Sequence, residues 1–268
     1  MYKAIRIILL CLLSVIVLFP LFYAFSTSFF TPQDFTAENA KLLPSSLSLR
    51  NYELALSHRY FGRYVLNSFI TATLTAFLRA AISAMTAFAF THLRFKGQKA
   101  ILTLLLTTLF IPPDAMLYEN YVTVARLSLL DSYLGIVLPS LFSASAMLIT
   151  IGAYLSTDRD IYDAARIDGS RDPRYILSIL LPLTAPVTIT VFIQAFISSF
   201  NSYLWPLLIT TRPKMRTVQV GIMMLGFAEE GEYGAQSASI ILITLPFLLL
   251  LAAGRKAIEK ALQGGISS

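Results

Sequence analysis

Long continuous apolar runs alternate with short polar ones along this chain, and the runs set its elements. Six are long enough to cross a bilayer, at about residues 5–25, 64–91, 100–116, 134–155, 176–200 and 237–253. A helix needs about 20 apolar residues to cross the hydrocarbon core. The runs are continuous and do not alternate, which predicts helices and not barrel strands. The third is broken near its end by Pro112 and Pro113, which withhold backbone donors. The first exceeds the usual apolar core of a secretory signal, so it is read as an uncleaved span despite the small residues Ala24 and Ser26. The expectation is an all-α, polytopic membrane protein with six transmembrane helices in a single domain, 1–268.

The polar intervals divide between two sides. Six spans place both termini together, and that side carries more of the cations, packed into short loops such as Arg94, Lys96 and Lys99. Cations in short loops mark the cytoplasmic face, so both termini are expected there. Glu229, Glu230 and Glu232 fall on the other side. The first outer loop, 26–63, reads as irregular, with a short interfacial helix over 51–63 that offers Tyr52, Leu54, Leu56 and Tyr60 as apolar contacts. In the second, Tyr118, Tyr121, Val122, Val124 and Leu127 suit a segment lying along the interface. The last, 201–236, reads as a loop with Gly221, Gly226, Gly231 and Gly234.

Composition sharpens the picture. Of 268 residues, 56% are hydrophobic and 13% charged, against about 25% charged in soluble domains. The net charge of +6 is accounted for by orienting cations and calls for no nucleic acid. Cys11 is the sole cysteine, and His58 and His92 are isolated. No metal site or disulfide within one chain is expected. No G-x-x-x-x-G-K-[ST] loop, Ser/His/Asp set or H-E-x-x-H helix occurs. The chain reads as no enzyme, with no cofactor of its own, and any chemical energy must come from another polypeptide.

One polar insert stands out, at about 157–175. Ile161, Ala164, Ala165 and Asp168 recur at helical spacing. Ala164 and Ala165 offer a small-residue face to an approaching surface. Gly169 suits a helix C-terminus, and Asp172 followed by Pro173 suits a second start with Asp as N-cap. Ile179, Leu181 and Pro182 then lead back to the membrane. The residues alone allow a docking surface or a solvated basic loop.

Residues 163–170, D-A-A-R-I-D-G-S, with Ile179 and Leu181-Pro182 behind them, resemble the EAA loop of ABC-transporter permeases, E-A-A-x-x-D-G-A followed by I-x-L-P. Asp163 replaces Glu and Ser170 replaces Ala. Asn51-Tyr52, Asn67-Ser68, Ala87-Phe88-Ala89-Phe90 before Arg94-Phe95-x-Gly97, and Phe200-Asn201-x-x-Leu204-Trp205-Pro206-Leu207 are similar to the maltose-type second permease of the carbohydrate-uptake class. The run 204–219 looks like the glycerol-3-phosphate branch. The resemblance implies a bacterial inner-membrane importer subunit moving a sugar or polyol. It also implies three partners: a cytoplasmic ATPase dimer, a second permease subunit and an extracytoplasmic solute-binding protein. The ATPase-coupling loop would then be carried by Asp163, Ala164, Ala165, Asp168, Gly169, Ile179 and Pro182.

Polar residues inside or beside the spans are candidates for a solute path. Arg79 lies within the second run, where a charge is costly; it either acts there or reaches the interface or a partner chain. Gln194, Ser198 and Asn201 share one helical face, suited to partner helices or a pore. Trp205 fits either an interface belt or a sugar-binding face. The alternative function is a stand-alone secondary transporter, which would want paired intramembrane acids. The span interiors hold none, Asp114 being at an end. A membrane-embedded enzyme would want a convergent acid, base or metal set, also missing.

Overall fold

The computed structural model describes residues 2–36, 41–228 and 232–264. Glu229, Glu230 and Gly231, expected in the last outer loop, lie outside them. Among the described residues all regular structure is helical and there is no strand. Two helices among the described residues are long and apolar enough to cross a membrane unaided, Ile5–Thr27 and Phe61–His92. Three further runs fold as bent pairs, each able to serve as one span. Gln98–Phe110 and Pro113–Arg126 are bent by 99°, Tyr133–Ser140 and Ala144–Leu155 by 57°, and Asp172–Leu183 and Ala185–Phe200 by 88°. The last run is the shorter apolar stretch Tyr233–Leu249, part of the helix Tyr233–Gly264.

The bends correct several expected boundaries. The third run does not continue to residue 116 as one rod: its helix ends at Phe110, and Pro113 opens the next turn. The fifth does not begin at 176. Residues 176–183 extend the helix that starts at Asp172, pass through a π-turn at Ile176–Leu180, and turn sharply at Thr184. Pro186 has no N–H for the Pro182 carbonyl, and its ring crowds that carbonyl. The last outer loop is mostly helical, with helices at Leu204–Ile209 and Val218–Ala228. Its glycines argued for a loop, but burial of Val218, Val220, Ile222 and Leu225 outweighs that weak propensity. In the second outer loop, Leu117–Arg126 is a helix whose Val124 packs on Ile136, Trp205 and Ile209, not on lipid.

Backbone contacts group the chain into two compact units, residues 1–62 with 221–268, and residues 63–220. In the first, the helix Tyr233–Gly264 packs on Arg50–Ser57 and on Tyr2–Thr27. The short helix ends at Ser57, before the residue 63 expected. Its Asn51 is buried and donates to the Ser28 and Phe30 carbonyls at 3.0 and 2.8 Å. Gly234 lets the long helix pass over this amide, since a Cβ there would collide with the Asn51 side chain. Nearby Asp34 is buried and accepts from Lys41 Nζ (2.8 Å), Ser45 Oγ (2.5 Å) and the Thr31 N–H (3.0 Å). The Lys41 and Ser45 bonds lead in holding its carboxyl far below the usual carboxylate range.

The second unit is built on the 32-residue helix Phe61–His92. Ala72, Thr75 and Ala76 are fully buried along it, and Thr71 nearly so. Thr71 bonds back to the Asn67 carbonyl at 2.9 Å. Small residues let neighbouring helices approach closely without leaving polar groups unpaired.

Candidate functional site: an exposed glycine turn on an aromatic mount

The polar insert folds as the sequence predicts at its first half. A helix runs from Arg159 to Ile167, capped by Asp158, whose side chain accepts the Asp160 N–H at 3.1 Å. It stops at Gly169, which adopts φ +81°. The Ser170 N–H reaches back to the Ala165 carbonyl (2.9 Å) and the Gly169 N–H to the Arg166 carbonyl (3.1 Å). These paired bonds are the glycine-terminated motif that closes a helix C-terminus.

The second half differs by one residue. Arg171 is the N-cap and Asp172 the first helical residue, with Pro173 in the first turn. The Asp172 carboxylate is therefore free to bridge the two helices. It accepts from Tyr162 Oη and Arg166 Nη1, both at 3.1 Å. Burial and this bond to Asp172 push the Tyr162 hydroxyl up.

Under the turn lies a packed cluster. Ala165 is buried in one cluster with Ala84, Ala87, Phe88, Tyr154, Tyr175 and Leu180. His92 stacks on Phe88 with ring centres 4.9 Å apart and meets Tyr162 edge-on at 5.0 Å. Tyr162 in turn meets Tyr175 at 4.9 Å. The loop is thus seated on the end of the helix Phe61–His92.

The predicted coupling residues divide between two faces. Asp163, Ala164, Asp168 and Gly169 are exposed together. Ala165 points inward, so its small side chain serves packing within the chain. Ile179 also packs on the cluster, and Pro182 is exposed on the return helix. One residue was missed: Ile167 is 87% exposed at the tip of the loop helix. Its signal was present, because an isoleucine falling on the polar face of an amphipathic helix is out of phase.

The expected solute-path residues also divide. Gln194 and Ser198 are exposed on the helix Ala185–Phe200, flanking the buried Val191 and Ala195. Asn201 continues that face and accepts from Gln219 Nε2 at 3.2 Å. Trp205 is buried away from them, and its Nε1 donates to the Gly135 and Ile136 carbonyls at 3.2 Å. Arg79 donates through Nε and Nη2 to the Ser140 carbonyl, the Nε bond being 2.8 Å long. That carbonyl lies where the pair Tyr133–Ser140 and Ala144–Leu155 bends. A broken helix frees backbone groups that lipid does not satisfy, and Arg79 supplies the missing donors. Among the described residues no group of acidic, histidine and cysteine side chains is arranged to hold a metal.

Residues 80–264 match the family of binding-protein-dependent transport system inner membrane components. The chain belongs to this family. Two relatives are the sn-glycerol-3-phosphate transport system permease proteins UgpE of Agrobacterium fabrum and Escherichia coli O1:K1. The first is 31% identical over 82% of this chain and 80% of its own length. The second is 29% identical over 92% and 91%. A chain in the crystal structure of a bacterial ABC transporter involved in the import of the acidic polysaccharide alginate has the same fold. Its TM-score is 0.84 at 19% identity, with 95% of each chain covered. The matched stretch of this permease contains the whole glycine turn, its aromatic mount and the bent helices around them.

Proposed function

We propose that this chain is the membrane-spanning permease subunit of an ATP-binding-cassette importer, one permease domain that passes a sugar or related polyol inward. The observation that carries the reading is the exposed turn at Gly169, seated on the end of a span-length helix, inside the stretch that matches the transport family. In this reading the chain crosses the bilayer six times with both termini cytoplasmic, each bent pair counting as one span. The turn is the coupling loop. Asp163, Ala164, Asp168 and Gly169 form its docking face, and Ile167 adds an apolar contact. A separate ATPase dimer takes that face into a groove, a second permease chain completes the pathway, and an extracytoplasmic protein delivers the solute. The face of Gln194, Ser198 and Asn201 lines the pathway, while Arg79 and Trp205 hold its walls. The permease holds no cofactor, and its partner hydrolyses ATP. Both UgpE relatives are named for sn-glycerol-3-phosphate, which makes that polyol phosphate the first solute to test.

The test is purification of the chain from its native membrane in gentle detergent, followed by identification of what accompanies it. A phosphate-loop ATPase is expected, and Gly169→Trp should remove it while leaving the permease inserted. A chain that purifies alone, and moves solute in liposomes without ATP, would sink the reading.

A further inference from the structure

The helix Phe61–His92 holds something at both of its ends. At one end Phe88 and His92 carry the aromatic mount of the glycine turn. Toward the other, Asn67 and Ser68 hold the segment 214–218. The Asn67 amide donates to the Lys214 and Arg216 carbonyls, both at 2.9 Å, and accepts from Tyr133 Oη at 2.8 Å. Its N–H groups and its oxygen are all engaged, and the residue is fully buried. Ser68 Oγ, also buried, accepts the Val218 N–H at 2.8 Å. That N–H opens the helix Val218–Ala228, so Ser68 caps this helix from a different part of the chain. Asp131 adds a third tie, accepting from Thr211 Oγ1 at 2.5 Å and from the Arg212 N–H at 2.8 Å.

Connecting segments of this kind are ordinarily the mobile part of a fold, and fixing each residue costs conformational entropy. Here the backbone of 211–218 is fixed by side chains from separate elements, while Arg212 and Lys214 stay exposed on it. Residues 69–83 of the connecting helix contain neither glycine nor proline. From Ser68 to Phe88 it runs about 30 Å at 1.5 Å per residue, the thickness of the hydrocarbon core.

We infer that Asn67 and Ser68 are positioning residues that clamp segment 214–218 to the same helix that carries the ATPase-facing turn, so that the two surfaces move as one piece. The inference rests on the coupling-loop reading and adds the route by which the turn is tied to the far surface. Movement of the turn displaces the helix end through Phe88 and His92. Because the helix has no hinge between its two attachments, the clamped segment moves with it.

The test uses the complete importer in liposomes, with ATP hydrolysis measured with and without solute-loaded binding protein, and solute uptake measured per ATP. Ser68→Ala and Tyr133→Phe each remove one bond of the clamp, and Asn67→Ala removes three. Hydrolysis without binding protein should stay at the wild-type rate, while the stimulated rate and the solute moved per ATP fall several-fold. Ser68→Thr, which keeps the hydroxyl, should restore them. Wild-type stimulation in all three clamp variants overturns the inference. Should Asn67→Ala fail to assemble, spin labels on Asp160→Cys and Lys214→Cys in a Cys11→Ser background give the answer in a chain with the clamp intact. Their separation should be the same with and without ATP, and a change during the cycle overturns the inference. Gly169→Trp is the control for the underlying reading. If that variant still answers to the binding protein, the coupling loop is misassigned. If it is silent while the clamp variants respond normally, only the clamp fails.

Discussion

Gly169 sits at φ +81° with open space where a Cβ would project, so conformation and not crowding selects glycine there. Gly169→Ala should weaken the turn by about 1–2 kcal/mol, seen as faster amide exchange at Ser170. Arg79 presents the opposite case, a charge retained in a span because a bent backbone needs its donors. Arg79→Met leaves the Ser140 carbonyl unpaired, at a cost of about 1–3 kcal/mol. The thermal midpoint of the purified importer should fall while solute affinity holds; unchanged stability with weakened affinity would place Arg79 on the pathway instead. Asp34 sets a pH dependence. Its folded carboxyl lies below the unfolded value of about 3.9, so its bonds to Lys41, Ser45 and Thr31 contribute fully at neutral pH. That contribution fades only as pH falls below the ordinary carboxylate range toward the depressed folded value. Amide exchange over residues 30–36 should be insensitive to pH-linked opening between pH 5 and 8 once intrinsic rates are removed, and Asp34→Asn should raise it throughout.

Among the elements, packing decides which segments become helices and where they break. Gly234 lies over the Asn51 amide, which is committed to two carbonyls and has no room to swing aside. Gly234→Ala should therefore destabilise the seat of Arg50–Ser57 on the long helix by about 1–3 kcal/mol, read as a lower thermal midpoint. Residues 176–200 show what periodicity alone misses. Their apolar run is continuous, yet Pro186 and the Pro182 carbonyl it crowds divide it at Thr184, so Ile179 turns toward the aromatic mount. The helix Val218–Ala228 was hidden for the reverse reason. It is short and contains two glycines, but Val218, Val220, Ile222 and Leu225 are buried and its first N–H is capped by Ser68.

At the scale of the whole molecule, membership of the transport family predicts that the permease does not work alone. Reconstituted by itself it should show neither ATP hydrolysis nor uptake, and both should appear together when the co-purified subunits are restored. The sequence by itself determined the solvent, the helical class and the glycine turn. Hydrocarbon leaves no alternative to internal bonding for continuous apolar runs, and a positive φ is read directly from a glycine set between a helix and Asp172-Pro173. Only the tertiary structure decided which faces of those elements remain for other molecules. Ala164 and Ala165 are identical in the sequence, yet one is exposed and the other is buried in the cluster that contains Phe88. In the sequence Trp205 fits an interface belt or a sugar-binding face, and Arg79 the pathway, the interface or a partner chain; in the fold they donate to the carbonyls of Gly135, Ile136 and Ser140. Those acceptors come from residues about 60 to 70 positions away in the chain, so no local pattern records them; they meet only because bent helices must have their freed backbone groups satisfied inside the protein.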